Sequence, residues 1–143
     1  MWSEYQPDLS RRVRDTSGRE DIGVTRLRPA APGLSVVAPS RVLDTRSGPR
    51  LAAGTITRVA TGAPAGTTAV LINLTMTDAT TAGYITADKC TTLTAGPQTK
   101  SNGNYTPGQN IANGTVVPID TDGAFCIYNE TPVHMLADIQ GTY

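Results

Sequence analysis

The sequence predicts an all-β fold: an antiparallel β-sandwich or jelly-roll-like domain over residues 36–143, preceded by an extended N-terminal arm over residues 1–35. Three observations carry this. Threonine is the commonest polar residue, 22 of 143, and it is mixed with valine, 14 glycines and 10 prolines, a composition that favours short strands and frequent turns over helices. From residue 36 onward, apolar runs recur between turn residues every 8–12 positions, enough for seven to nine short strands. No long segment keeps a 3.6-residue apolar period, so a helical architecture is disfavoured. A chain of this length suffices for one ordinary domain and is too short for two.

The elements follow in order. "LSVVAP" reads as a short strand stopped by Pro39, and "RVLDTR" as a second extended piece ended by Ser47, Gly48 and Pro49. "GTITRVA" is the next strand, before the loop "TGAPAG". The clearest alternation is "TAVLINLTMTDA", which puts Val70, Ile72, Leu74 and Met76 on one face and Leu71, Asn73, Thr75 and Thr77 on the other. "GYITADKC" follows the turn "DATTAG", so these two are expected to form a hairpin. Residues 91–110 carry only weak strand signals. "IANGTVVPID" and "GAFCIYN" come next, with "DTDG" as the tight turn between them, and "VHMLADIQGTY" closes the chain.

Residues 1–35 differ in kind. They hold no sustained apolar period, and Pro29, Pro32 and Gly33 act as hinges. Alone in water such a segment buries too little apolar surface to order itself, so it is expected to dock on a protein partner. Trp2, Tyr5, Arg11, Arg12 and Arg14 are the candidate docking residues. Net charge is zero overall, but residues 1–50 hold nine arginines against six acids. Because the arm's acids dilute its arginines, a salt-bridging protein surface is a better match than nucleic acid. No run of 18 apolar residues occurs, so no membrane insertion is expected. The N-terminus lacks the basic-then-apolar layout of an export signal. Two routes stay open: a signal trimmed away, or synthesis in a cytoplasm and exit by another path.

Cys90 and Cys126 each lie in or beside a strand-like run, which suits a disulfide between elements; two buried free thiols are the competing reading. A bond would close a loop of 36 residues, worth about 3–4 kcal/mol. Two cysteines and a single histidine complete no zinc site, and no cofactor is expected. In "PSRVLDTRSGPR", residues 39–50, Asp44 and Arg46 lie two apart and share a face if the strand runs through them. Either Arg46 anchors a sugar acid or partner carboxylate, or the two pair with each other and pin the domain entrance. His134 alternates with Leu136 and Asp138 and reads as structural. Trp2, Tyr5, Tyr84, Tyr105, Tyr128 and Tyr143 are either a sugar-stacking platform or core and rim residues. "DTDG" lacks the remaining ligands of a calcium loop and reads as a plain turn.

"PSRVLDTRSG", "GTTAVLINLTMTDATTAGYITADKC" and "DTDGAFCIYNETPVHMLADIQGTY", taken together, resemble a domain widespread in actinobacterial extracellular proteins. That domain opens with a Pro-x-Arg-Val/Leu-Leu-Asp-Thr-Arg-x-Gly stretch. It continues through a Val/Thr-rich strand to Gly-Tyr-Leu/Ile-Thr and a Cys, then closes with Gly-x-x-Cys-x-Tyr-Asn and His-x-x-x-Asp. The resemblance covers roughly residues 38–143, both cysteines, Gly83, Tyr84, Tyr128, Asn129, His134 and Asp138; the ending Gly141-Thr142-Tyr143 departs from it. It implies a non-catalytic all-β module of secreted or surface-displayed proteins, with carbohydrate or cell-wall attachment as the supposed role.

Two functions are therefore expected ahead of an enzyme. The first is a structural display protein on a virion surface, a head decoration or tail protein of an actinobacterial phage. Its arm docks on the capsid or neighbouring subunits, it forms a homo-oligomer, and its β domain contacts host-surface glycans weakly. A starting Met, no export signal, an arm in need of a partner and a surface-type domain fit together in that setting. The second is a secreted, cell-wall-associated adhesion or carbohydrate-binding module at the cell surface.

Overall fold

A computed structural model describes residues 33–143. The expected arm, with Trp2, Tyr5, Arg11, Arg12 and Arg14, lies outside these residues apart from its last three, and Ser35 already belongs to the first strand.

Eight strands make up the described domain: β1 (Ser35–Asp44), β2 (Thr55–Ala60), β3 (Ala69–Thr77), β4 (Gly83–Asp88), β5 (Gly103–Tyr105), β6 (Ile111–Pro118), β7 (Ala124–Asn129) and β8 (His134–Thr142). They form two four-stranded antiparallel sheets, β1-β8-β3-β6 and β2-β7-β4-β5. Successive strands alternate between sheets up to β4, and the pairs β1–β8, β2–β7, β3–β6 and β4–β5 are nested. The chain is thus one long ribbon folded at β4–β5 and rolled so that its two ends meet, which is the eight-stranded jelly roll.

The predicted alternation of β3 holds: Val70, Ile72, Leu74 and Met76 are fully buried, and Leu71, Asn73, Thr75 and Thr77 are half-exposed. Directly paired residues of an antiparallel ladder share a face. The core therefore takes Met135, Ala137 and Ile139 of β8 and Val117 of β6 from the first sheet. From the second it takes Val59, Ile85, Ala87, Phe125 and Ile127. Tyr105 and Val133 complete it.

Two expectations are corrected. Pro39 does not stop a strand: β1 runs through it, with register shifts on either side of residues 40–41. Because β1 is an edge strand, the missing N–H of Pro39 costs no ladder bond on a central strand, and the bulge absorbs its ring. β3 and β4 are not a hairpin, since they lie in opposite sheets. Asp78, at φ 59, turns the chain out of β3 after Thr77 and sends it across to the other sheet. "DTDG" is a turn, closed by Gly123 N–H to Asp120 O at 2.9 Å, but β6 and β7 on either side of it also lie in opposite sheets.

The weak stretch after β4 has a definite place. Residues 89–102 leave β4, cross the outer face of the second sheet and return as β5. This cover explains why all six residues of β7 are buried, those of the outer face included. Cys90 bonds Cys126 of β7. Thr91 donates to Asp120 from its hydroxyl at 2.6 Å, Tyr84 accepts the Gln98 N–H at 2.9 Å, and Thr86 donates to the Lys100 carbonyl. Lys100 pairs with the buried carboxylate of Asp88. Asn102 then substitutes for a strand: its Oδ1 accepts Ala87 N–H at 2.8 Å, and its Nδ2 donates to Thr115 Oγ1 of β6 at 3.2 Å. Its own carbonyl accepts Asn113 Nδ2 at 3.1 Å, so one residue stitches the two sheets along the β5/β6 side.

Candidate functional site

The charged motif 39–50 sits at the end of β1, and each of its three arginines has a carboxylate partner. Arg41, exposed on the outer face of the first sheet, lies opposite Asp138 of β8 in the ladder. It grips that carboxylate with two hydrogen bonds, Nε to Oδ1 at 2.7 Å and Nη2 to Oδ2 at 3.0 Å, and reaches Asp44 at 3.6 Å. Arg46, past the strand end, returns to Asp44 through Nε at 2.9 Å, Nη2 at 2.7 Å and its backbone N–H at 3.0 Å. Arg50 donates to the carbonyl of Asp78 and pairs with its carboxylate at 3.0 Å, securing the one non-glycine residue held at positive φ among the described residues. The planar guanidinium forks match carboxylates two bonds at a time.

This arrangement sets the acidity of the corner. The Arg46 side chain, then its backbone N–H, hold Asp44 well below the usual carboxylate range. The Arg41 fork lowers the pKa of Asp138. A carboxylate whose folded pKa is depressed contributes stability that is complete above its unfolded value and is lost as pH falls through the folded one. The melting temperature is therefore expected to fall as pH drops below about 4, the ordinary Asp range. Asp138→Asn, which removes one of these titrating groups, should flatten that fall in a thermal-melt series from neutral to strongly acidic pH; an unchanged slope would remove the corner from the account.

His134 lies beside the same corner. Its Nδ1 is 3.0 Å from Thr45 Oγ1, which also accepts Met135 N–H at 2.9 Å. Thr45 N–H in turn bonds Met135 O at 3.1 Å, and the turn closes with Gly48 N–H to Thr45 O at 3.2 Å. The Thr45–Met135 pair thus extends the β1–β8 ladder by one residue, and the His134 ring holds the Thr45 hydroxyl that takes part in it. Asp44, Arg46, His134 and Asp138, singled out from the sequence, are brought together. Arg41 and Thr45, which complete the corner, were not; the (i, i+3) spacing of Arg41 and Asp44 was the available signal, but the 97-residue reach to Asp138 was not legible.

Tyr84 and Tyr128 form a separate group on the outer face of the second sheet. Their ring centroids are 5.9 Å apart with planes tilted by 44°. Tyr128 is buried beneath residues 89–102, and that burial, followed by the Tyr84 charge, pushes its hydroxyl pKa up. Tyr84 is half-buried and forms one wall of an open groove with Gln98, Thr99, Lys100, Ser101 and Asn104. Of the candidate aromatics among the described residues, Tyr84 lines that groove, and Tyr105 and Tyr128 are buried. Cys90 and Cys126 are joined, with Cα atoms 4.7 Å apart, so the disulfide expectation holds.

Elsewhere Arg58 pairs with Asp122 at 2.9 Å, and Asp120 accepts hydrogen bonds from the Thr91 N–H and hydroxyl. Every arginine among the described residues is ion-paired. Among those residues no group of three or more His, Cys, Asp or Glu is gathered as metal ligands would be. No family model matches the chain, and no curated protein matches it.

Proposed function

We propose that the chain is a non-catalytic structural display protein, most simply a head decoration or tail protein on an actinobacterial phage virion. Its N-terminal segment docks on the assembly, and the jelly roll faces outward. The observation that carries the reading is how the chemistry-bearing residues of the domain are used. The arginines of the 39–50 motif pair with Asp44, with Asp78 just past β3 and with Asp138 of β8, and His134 holds the Thr45 hydroxyl that extends the β1–β8 ladder. Groups spent on holding strand ends together suit a rigid projecting module better than a reaction centre. The similarity of residues 38–143 to a surface-displayed actinobacterial domain supports the setting. The test is binding of the full chain and of a chain lacking residues 1–35 to purified capsids. The full chain is expected to bind and the truncated one to remain in solution; equal binding by both would overturn the reading.

The groove beside Tyr84 favours one second reading, a secreted adhesion or carbohydrate-binding module. It offers an aromatic wall with Thr99, Ser101 and Asn104 at its rim, the combination a neutral sugar uses for stacking and hydrogen bonding. Glycan-array binding that Tyr84→Ala abolishes, together with no capsid binding, would select it.

A further inference from the structure

The outer faces of the two sheets differ. That of the second is covered by residues 89–102, whereas no described segment crosses that of the first. Ladder register arranges this open face in cross-strand rows. Arg41, Asp138, Asn73 and Gly114 form one row, and Asp44, Leu136, Thr75 and Ala112 the next. At the other end Val36 lies opposite Gly141, Gly141 opposite Leu71, and Leu71 opposite Val116. This row is wholly apolar. Leu34 packs over Gly141, where a Cβ would stand 2.4 Å from its Cδ1, so the leucine fills the side-chain space that the glycine leaves open. Tyr143 continues the patch beyond the row, its N–H bonded to Ala69 O.

These residues are exposed: Val36 by 80%, Val116 by 47%, Leu34 by 44% and Tyr143 by 36%. Only two other large hydrophobic residues of the described domain, Val37 and Ile56, are as open. Singly exposed apolar residues need no explanation, but a contiguous band of them marks a contact surface.

We infer that this band on β1, β8, β3 and β6 is the face through which two copies of the chain associate, sheet against sheet. A flat pleated face is matched by another such face, as in sandwich packing. The charged end of the same face is neutral in sum, with Arg41 and Arg46 against Asp44 and Asp138, and all four are already paired. A copy approaching its own image about a two-fold axis thus meets apolar band against apolar band without like-charge repulsion or an unpaired charge to desolvate. Nucleic acid would require basic groups, which the band lacks, and a glycan would require hydrogen-bonding groups beside an aromatic face, which the row of Val36, Gly141, Leu71 and Val116 does not supply. Four strands ~4.8 Å apart and nine residues long present roughly 20 by 27 Å, on the order of 500 Å². That falls short of the roughly 800 Å² per partner of a standard stable interface, so the pair is reversible. The assignment rests on the oligomeric part of the display reading, and its test is separable from docking.

The test is sedimentation of the full chain over a concentration range from about 1 to 200 µM, where a weak interface of this size dissociates. The mass is expected to rise from one chain to two. The double variant Val36→Asp/Val116→Asp should move the midpoint at least tenfold higher, and Ile56→Asp, also exposed but on the other sheet, should leave it in place. All variants should keep the wild-type far-UV spectrum, since both patch positions are already solvent-exposed. A single-chain mass at every concentration, self-association that survives the double variant, or equal loss with Ile56→Asp would overturn the inference. If the wild type stays single but the double variant loses capsid docking, the band belongs to another partner; the inference then fails while the display reading stands.

Discussion

Replacing Cys90 and Cys126 together by serine is expected to lower the unfolding free energy by about 3–4 kcal/mol without changing the fold. The disulfide spans 36 residues, and a cross-link stabilises chiefly by restricting the unfolded chain, by an amount that grows slowly with loop size. The fold survives because residues 89–102 have other anchors: Thr91 on Asp120, Tyr84 with Gln98, Thr86 on Lys100, and Asn102 on Ala87. Urea unfolding of the oxidised wild type, the reduced wild type and the double variant measures this. The last two should coincide, well below the first. A gap smaller than about 1 kcal/mol would mean that the unfolded chain is already restricted by residual structure.

The second large effect is expected at Asn102. β5 pairs with β4 only from Gly83 to Ile85, so the N–H of buried Ala87 has no strand partner and depends on the Asn102 side chain. Asn102→Ala strands that donor and frees Thr115 Oγ1 as well. Leaving one buried group unsatisfied costs about 1–3 kcal/mol, so a loss of about 2 kcal/mol is expected in the same urea measurement. Thr115→Val, which removes only the weaker of the two side-chain bonds, should cost less. If the two variants were equally destabilised, the stitch would reside in the Asn102–Thr115 bond and not at Ala87.

What could be read from the sequence and what could not divide along physical lines. β3 was legible because one of its faces meets the core and the other meets solvent, giving Val70, Ile72, Leu74 and Met76 their period of two. β7 gave a run without period, since residues 89–102 bury its outer face too. Nothing local in that weak stretch announces that it covers a sheet; its anchors, Asp120 and Tyr84, lie elsewhere in the chain. The failed hairpin of β3 and β4 and the change of sheet after residues 120–123 share one cause. A turn such as 120–123 specifies a reversal of direction, but whether the next strand joins the same sheet depends on partners far away in sequence. Within the site, Asp44 and Arg46 were legible because their contact spans two residues, while the Arg41–Asp138 fork is decided by β1 and β8 meeting across nearly the whole domain.

That meeting governs the order of events during synthesis. β1 emerges from the ribosome first among the described strands, and its only ladder partner is β8, the last. Until some hundred further residues have been made, its edges and the apolar side chains of Val36, Val42 and Leu43 have nowhere to pair. Non-local pairing of this kind is slow and leaves strand edges open meanwhile. Pro39, within β1, disqualifies that waiting edge as a regular template for a stray strand. A residue that reads as a strand stop thus guards the nascent chain against premature partners, and the roll closes only once β8 has been made.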